Sequence, residues 1–180
     1  MRRRRFDREM LKLIGAILLI AGTASCGIIG AMRLRRRSDS LSSVLSALST
    51  MKSEICDRLT PIPELLEMLA EDGQYPANAL FSNACANMSR LGSAQFSEIW
   101  NQSVEKTPEL LLNARECEVL SELGKSLGKY NIEEQRSALL YALDRFSGYL
   151  KKAESSRAEG AKMRAAIGVA AGIFAVVILI

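Results

Sequence analysis

The 180-residue chain has few residues of the types that perform chemistry in enzyme active sites. It contains no histidine, which excludes Ser-His-Asp and Cys-His nucleophiles, histidine general bases and histidine-ligated zinc. Its four cysteines include no C-x-x-C pair: Cys26, Cys56, Cys85 and Cys117. Cysteines scattered at helical positions are typical of small apolar filler residues, so we expect no disulfide, metal ligand or nucleophile among them.

Neighbouring acids are the other candidates for catalysis. Glu133 and Glu134 fall where the N-terminus of a helix favours carboxylates, and Glu116 and Glu118 form a second pair. We expect both pairs to lie on solvated helix surface. The sequence also lacks a G-x-x-x-x-G-K-[ST] phosphate loop and the acidic spacing of an EF-hand. These observations predict a protein that is not an enzyme and binds no cofactor or metal.

The distribution of charge points to a membrane. The formal net charge is +4, but the basic residues concentrate beside two apolar segments. Aromatic residues make up only 6% of the chain, which leaves little for a platform that stacks nucleic-acid bases. We therefore expect a membrane partner, no nucleic acid and no small-molecule substrate.

The first apolar segment, residues 13–32, has twenty residues without a charge. As a helix it would be roughly 30 Å long, the thickness of a bilayer's hydrocarbon core. A cleaved signal peptide is the alternative, because basic residues precede small ones near Ala21 to Gly27. The retained anchor is favoured, since the apolar stretch continues past that region and ends at a basic cluster.

The second apolar segment, residues 163–180, is uncharged from Ala165 to Ile180. Its helix would be about 24 Å long, and snorkelling of Lys162 and Arg164 could extend it to a full span. The alternative is a C-terminal core helix, which would be amphipathic rather than apolar on all sides. Gly168 and Gly172 form a small-x-x-x-small pattern, so they are candidates for packing against the first span; Gly and Ala are common in such helices, so composition alone is the other interpretation.

The positive-inside rule places the middle of the chain in the cytosol. Basic residues flank that middle at both predicted membrane junctions and are expected to be membrane-proximal: Arg33, Arg35, Arg36, Arg37, Lys162 and Arg164. The run Arg2 to Arg5 opposes this orientation, although Met10 is an alternative start that would remove it. The predicted organisation is an N-terminal extension (1–12), a span (13–32), a basic collar (33–37), a cytosolic bundle (38–162) and a second span (163–180).

The cytosolic region repeats a 3.6-residue apolar period and has no period-2 run, which predicts an all-α fold, a compact bundle of about six helices. Ser38 or Asp39 could cap the first helix. Its predicted core stripe is Leu41, Val44, Leu45, Leu48, Met51, Ile55 and Leu59. Later helices are expected to start near Pro63, Pro76, Ser93, Thr107 and Asn131.

Several segments, in this order and spacing, resemble the stage III sporulation protein AB family. They are Met10 to Ala16, Thr60-Pro61-Ile62-Pro63-Glu64, Trp100, the double Leu-Gly of residues 123–128, and the ending from Lys162. Tyr130-Asn131 departs from the Ser-Asp usual in the family, although Asn131 can still cap a helix. The nine residues before Met10 are outside the family pattern.

The resemblance implies a membrane protein made in the mother cell of endospore-forming bacteria. It implies a part in the channel assembly between mother cell and forespore, with stage III sporulation protein AA, a secretion-type ATPase, and other channel components as partners. It also implies a cytosolic domain similar to the helical domain of the platform proteins of type II secretion and type IV pilus systems.

Two turns are the candidates for partner docking: Thr60, Pro61 and Pro63 in one, Gly128, Lys129 and Asn131 in the other. The double Leu-Gly also has a purely structural interpretation, in which Gly124 permits close helix approach and Gly128 ends a helix. A membrane-anchored sensor or regulator that binds a small ligand or signalling protein is the alternative to a docking platform.

Overall fold

The computed structural model describes the backbone of residues 30–127 and 131–179, and over these residues the protein is all-α. Within them lie six α-helices: α1 (30–56), α2 (Ile62–Glu71), α3 (Ala77–Asn87), α4 (Phe96–Glu105), α5 (Ala114–Ser126) and α6 (Ile132–Leu179). Two short 3₁₀ helices, Met88–Arg90 and Pro108–Leu110, connect neighbouring helices. The number and type of elements confirm the predicted helical bundle.

The described residues belong to two units. Residues 37–153 form the helical bundle, and residues 30–36 and 154–179 belong to the other unit. Among the described residues, no helix is long and apolar enough to cross a membrane. Residues 13–29 of the first predicted span lie outside the described residues, as do Ile180 and the side chains from residue 171 onward in the second.

The core of the bundle is one cluster of apolar side chains from all six helices, and α2 packs on α3, α3 on α4, and α4 on α5. Trp100 of α4 lies at its centre and is 1% exposed. Its ring centroid is 5.9 Å from that of Phe81 and 6.1 Å from that of Phe96, and its indole Nε1–H donates to the Leu120 carbonyl over 2.7 Å. An aromatic ring of this size with a satisfied N–H contributes both apolar burial and a fixed orientation to the core.

Gly124 of α5 is where the Trp100 ring meets the backbone. A Cβ at position 124 would overlap Trp100 Cδ1 and lie 2.9 Å from its Cγ. The close helix approach expected for this glycine is confirmed, because no side chain fits between α5 and the indole.

Helix boundaries match the prolines better than the predicted polar caps. α2 starts after Pro61, α3 starts after Pro76, and α2 ends at Glu71. Ser38 and Asp39 cap nothing, because α1 already includes residue 30. Ser93 does not cap α4 either: its hydroxyl donates to the Arg90 carbonyl over 2.8 Å, and α4 begins two residues later than predicted, after Gln95.

The prediction that a helix begins at Thr107 is wrong, because α5 begins at Ala114. Pro108–Leu110 is a 3₁₀ turn, and Leu111 then adopts a left-handed conformation with φ +50° that interrupts the chain's helical path. α5 begins only after Asn113, whose side chain accepts from the Glu116 N–H over 3.1 Å while Glu116 Oε2 accepts from the Asn113 N–H over 2.8 Å. This reciprocal pair is a capping box, and the N-x-x-E spacing in the sequence was the signal that could have found it.

Leu59 of the predicted core stripe is at the surface instead, and so is Leu91, whose spacing from Leu80, Ala84 and Met88 likewise predicts a buried helix face. Leu59 is 63% exposed and Leu91 is 49% exposed. Both lie beyond the helix to which the apolar period assigned them, since α1 ends at residue 56 and α3 ends at Asn87. A 3.6-residue spacing predicts a buried face only while the helix continues.

Candidate docking surface

The first predicted docking turn lies beside the start of α6, which directly follows Asn131 of the second. Arg136, on the second turn of α6, donates from Nη2 to the Cys56 carbonyl over 3.4 Å. The same nitrogen is 3.9 Å from Asp57 Oδ1. The last residues of α1 therefore meet the first turns of α6. We call residues 54–64 and 131–136 the Leu59 end of the bundle.

A buried carboxylate fixes the first of these turns. Glu54 is only 7% exposed, and its Oε1 accepts from Arg58 Nη1 over 2.8 Å while its Oε2 accepts from the Thr60 hydroxyl over 2.7 Å. The Thr60 N–H also donates to the Glu54 carbonyl over 2.9 Å. Charge-assisted hydrogen bonds of this kind are among the stronger ones, so the turn has a defined conformation.

Leu59 is held at the tip of that turn in an unusual conformation. Leu59 has φ +59° and is 63% exposed. The left-handed region costs a residue with a Cβ roughly 1–2 kcal/mol, which is why glycine usually occupies such positions after a helix. An apolar side chain is thus displayed to solvent at a position where glycine would be more favourable.

Asn131, the last predicted residue of the second turn, caps the start of α6. Asn131 Oδ1 accepts from the N–H groups of Glu133 and Glu134 over 3.1 and 3.3 Å, which confirms Asn131 as a cap. Ile132 follows it and is 37% exposed. Gly128 and Lys129, the other predicted residues of this turn, lie outside the described residues.

Pro61 and Pro63 are exposed at the start of α2: Pro61 directly precedes it and Pro63, the predicted start, lies in its first turn. Thr60 is half-buried against Glu54. Their rings lack N–H donors, so they suit the first helical turn, where such donors have no intrahelical partner. The described predicted residues of the two turns are therefore brought together at one end: three exposed ones and Thr60, which holds the turn.

The exposed charges of the Leu59 end are mainly acidic. Asp57, Glu64, Glu133 and Glu134 are exposed carboxylates. The guanidinium of Arg58 is bound to Glu54, and that of Arg136 lies 3.9 Å from carboxylates of Asp57 and Glu133. Among the described residues, this end therefore presents a negative surface around Leu59. The sequence analysis did not identify this charge, because the acids come from separate segments.

Glu116 does not lie on solvated surface as predicted, and its partner is Arg37. Glu116 is 2% exposed rather than solvated, and both of its carboxylate oxygens accept from Arg37 Nη2. Arg37 Nη1 also donates to the Leu111 carbonyl over 2.6 Å. Arg37 is partly buried and joins α1 to the start of α5, while its predicted position near the membrane stays a prediction. We call this region, with Leu110 to Glu116, the Leu111 end.

The two ends lie at opposite ends of the bundle. Arg37 and Cys56 are separated by nearly the whole bundle portion of α1, about 28 Å at the rise of an α-helix. The Leu111 end also has a left-handed, exposed leucine, since Leu111 has φ +50° and is 48% exposed. This repetition provides a matched control position for Leu59.

The other predicted site residues stay predictions. Arg33, Arg35, Arg36 and Lys162 are exposed, and the side chain of Arg164 lies outside the described ones. Gly168 is in α6 with nothing within 4 Å of where a Cβ would be, and Gly172 is also in α6.

Two cavities of the described bundle are small. A buried one of about 10 Å³ in the core, lined by Met51, Phe81 and Trp100 among others, has space for about one water. An open cleft of about 250 Å³ lies between Arg115 and Glu122 of α5 and Tyr141 and Arg145 of α6. Ligand pockets usually measure about 300–1,000 Å³, so neither is typical of a small-molecule site.

The three cysteines of the described bundle are free, and two have raised thiol pKa values. Burial raises the pKa of the Cys85 thiol, and the charge of Glu67 adds to that effect. Burial likewise raises the pKa of Cys117, together with the nearby Glu116 carboxylate. A raised thiol pKa keeps sulfur protonated and unreactive near neutral pH. Among the described residues, no group of three His, Cys, Asp or Glu side chains could hold a metal ion.

Together, the described fold and surface define a small helical-bundle protein whose distinctive feature is an exposed apolar and acidic end. The family model for stage III sporulation protein AB matches residues 12–180. The chain therefore belongs to the stage III sporulation protein AB family.

A relative and a solved structure agree with this assignment. The chain is 29% identical over 171 residues to stage III sporulation protein AB of Bacillus subtilis (strain 168), covering 94% of this chain and 99% of the relative. It is also similar to a solved structure of a stage III sporulation protein AB, with a TM-score of 0.62 and 25% identity over 69% of this chain and 98% of the other. The resemblance noted in the sequence is confirmed.

Proposed function

We propose that the protein is a non-enzymatic membrane scaffold of the channel apparatus between mother cell and forespore in endospore formation. Its bundle docks a secretion-type ATPase, of the stage III sporulation protein AA kind, at the Leu59 end. The protein resides in the mother-cell membrane around the forespore, with the bundle in the cytosol.

The observation that carries the docking proposal is the contact of Arg136 with Cys56 and Asp57. It brings the turn after α1 and the start of α6, far apart in sequence, to one exposed end. An ATPase that assembles or moves a membrane complex needs a rigid protein surface to act against. The Leu59 end is suited to this role because Glu54 fixes the turn after α1 and Asn131 caps α6.

Membrane anchoring is supported by the sequence alone. Residues 13–32 are uncharged over a length that matches a bilayer, and residues 165–180 are uncharged behind Lys162 and Arg164. With both segments inserted, the basic residues at their inner borders would contact anionic headgroups. Gly168 and Gly172 would then provide a face for close packing between the spans.

Site-specific photocrosslinking in sporulating cells tests the docking proposal with the full chain. A photoreactive residue at Glu133, which has an 82% exposed side chain, should crosslink to the ATPase. The matched control is Glu109, an exposed acid near the Leu111 end, which should give no such product. Equal crosslinking at both positions, or at neither, would contradict docking at the Leu59 end.

A further inference from the structure

We propose that Leu59 is the anchor residue of the docking surface, and that it inserts into an apolar pocket rimmed by Lys and Arg side chains on the ATPase. This inference rests on the proposed function, because it takes the ATPase as the partner at this end. It adds the residue that carries the affinity and the chemistry of the partner surface.

The conformation and exposure of Leu59 indicate that folding gains little from its side chain. The turn would form more favourably with glycine at φ +59°, and a residue that is 63% exposed gains little from burial within the bundle. A side chain that the fold neither buries nor favours is available for contact with another protein. Filling a desolvated pocket of a partner would give it a role, since a few residues in such pockets carry most of the binding energy at interfaces.

The turn is also preorganised for binding. Three hydrogen bonds connect Glu54 with Arg58 and Thr60 on either side of Leu59, so the side chain is presented on a fixed backbone. Binding to a preorganised group loses less conformational entropy than ordering a flexible loop does. The exposed rings of Pro61 and Pro63 lie immediately beyond it and add rigid apolar surface that can exclude water.

The charges around Leu59 specify the partner. Asp57, Glu64, Glu133 and Glu134 are exposed at the same end, and both described guanidiniums there already face carboxylates. A partner rimmed by Lys and Arg is therefore electrostatically complementary, whereas an acidic partner or an anionic membrane surface would be repelled. This excess of carboxylates distinguishes the end from the predicted basic collar of the same chain.

The test measures binding of the purified ATPase to the purified full-length chain in detergent or nanodiscs. Leu59→Ala and Leu59→Gly should each raise the Kd by about 30-fold, the size of effect typical of an interface hot spot. Leu59→Met, which keeps the volume and the apolar character, should retain most of the wild-type affinity. The matched control Leu111→Gly removes the other left-handed, exposed leucine and should leave the Kd within about threefold.

Thermal melting separates docking from folding. Leu59→Gly should melt at the same or a slightly higher temperature than the wild type, because glycine relieves the left-handed backbone. Loss of binding with retained or increased stability supports a contact role. If Leu59→Gly lowers the melting temperature strongly, Leu59 is a structural residue and the inference is refuted.

Charge reversal tests the rim. The double variant Glu64→Lys/Glu133→Lys should weaken ATPase binding more than tenfold, and the affinity of the wild type should fall as salt concentration rises. Reversal of Glu109 near the Leu111 end is the control and should have little effect.

The outcomes separate the two proposals. If the wild-type chain does not bind the ATPase, both the proposed function and the anchor role fail. If the wild type binds and Leu59→Ala, Leu59→Gly and Leu111→Gly bind equally well, the docking function stands and the anchor role of Leu59 is refuted. If Leu59 variants lose binding but salt and charge reversal have no effect, the basic pocket is refuted.

Discussion

For Gly124→Ala, helix propensity and tertiary packing predict opposite changes in the free energy of unfolding. Helix propensity alone predicts that alanine stabilises an interior helical position by roughly 1 kcal/mol relative to glycine. The structure predicts the opposite sign. A Cβ at residue 124 would overlap the Trp100 ring at Cδ1 and lie 2.9 Å from Cγ and 3.1 Å from Nε1.

The magnitude follows from what must move. Overpacking of a well-filled core costs about 1–3 kcal/mol. Displacement of the indole would also weaken the 2.7 Å bond from Trp100 Nε1 to the Leu120 carbonyl, and a buried donor without a partner costs about 1–3 kcal/mol more. After the propensity gain, we expect a net destabilisation of about 1–5 kcal/mol. For a bundle of residues 37–153, that corresponds to a fall in melting temperature of roughly 4–20 °C.

Trp100 makes this prediction simple to measure, because it is the chain's one tryptophan. Its fluorescence reports both the melt and the environment of the ring in the full-length protein. Gly148→Ala is the control: Gly148 is in α6 with nothing within 4 Å of its added Cβ, so propensity should dominate and stability should rise by up to about 1 kcal/mol. A Gly124→Ala protein as stable as the wild type would refute the expected steric clash between a Cβ at residue 124 and the indole of Trp100.

Three further predictions concern charge and capping. Glu116→Gln should lower the free energy of unfolding by about 2–3 kcal/mol in a denaturant titration, because it leaves the partly buried Arg37 without its carboxylate; an unchanged midpoint would contradict this. Asn131→Ala should cost about 1 kcal/mol in the same titration through loss of the α6 cap, and no change would mean that the cap is replaced by water. Because the pKa values of Cys85 and Cys117 are raised, both thiols should react more slowly with an alkylating reagent than a free thiol does. The free energy of unfolding should also fall as the pH rises above roughly 8.5, because these cysteines ionise first in the unfolded chain. Cys85→Ser/Cys117→Ser should remove that alkaline loss.

Prolines and apolar spacing made most of the helices predictable. Pro61 and Pro76 end up directly before α2 and α3, since proline fixes φ and lacks an N–H that the first turn does not need. Leu65, Leu66 and Leu69 are buried as their spacing indicated. Local rules succeed here because the start of a short helix depends on a few adjacent residues.

The errors occurred where the choice between competing local signals depends on tertiary contacts. Thr107 and Pro108 have the chemistry of a helix start, but the helix begins at Asn113, whose capping box also binds Arg37 through Glu116. Glu116 itself was assigned to solvent because its partner lies 79 positions away in sequence. No local pattern contains the information that these two residues meet.

The candidate site shows the same division. The sequence identified Thr60, Pro61, Pro63 and Asn131 as turn residues, since prolines and caps mark turns. It could not place them at one end, because that depends on Arg136 reaching Cys56 and Asp57 from α6. Nor could it identify the acidic surface that results.

Leu59 is predicted to lie in the core but faces solvent at the candidate docking surface. Its four-residue spacing from Ile55 predicted one more buried turn of α1, yet α1 ends at residue 56 and Pro61 disfavours helical geometry in the residue before it. Once the helix stops, a leucine at the next position of the stripe must either fold back onto the core or face solvent. Glu54 holds the turn so that it faces solvent, at a φ of +59° that opposes its own side chain. The leucine that the apolar period assigns to the core is therefore one from which the bundle gains little, and this is the physical reason to propose its side chain as an anchor in a partner's pocket.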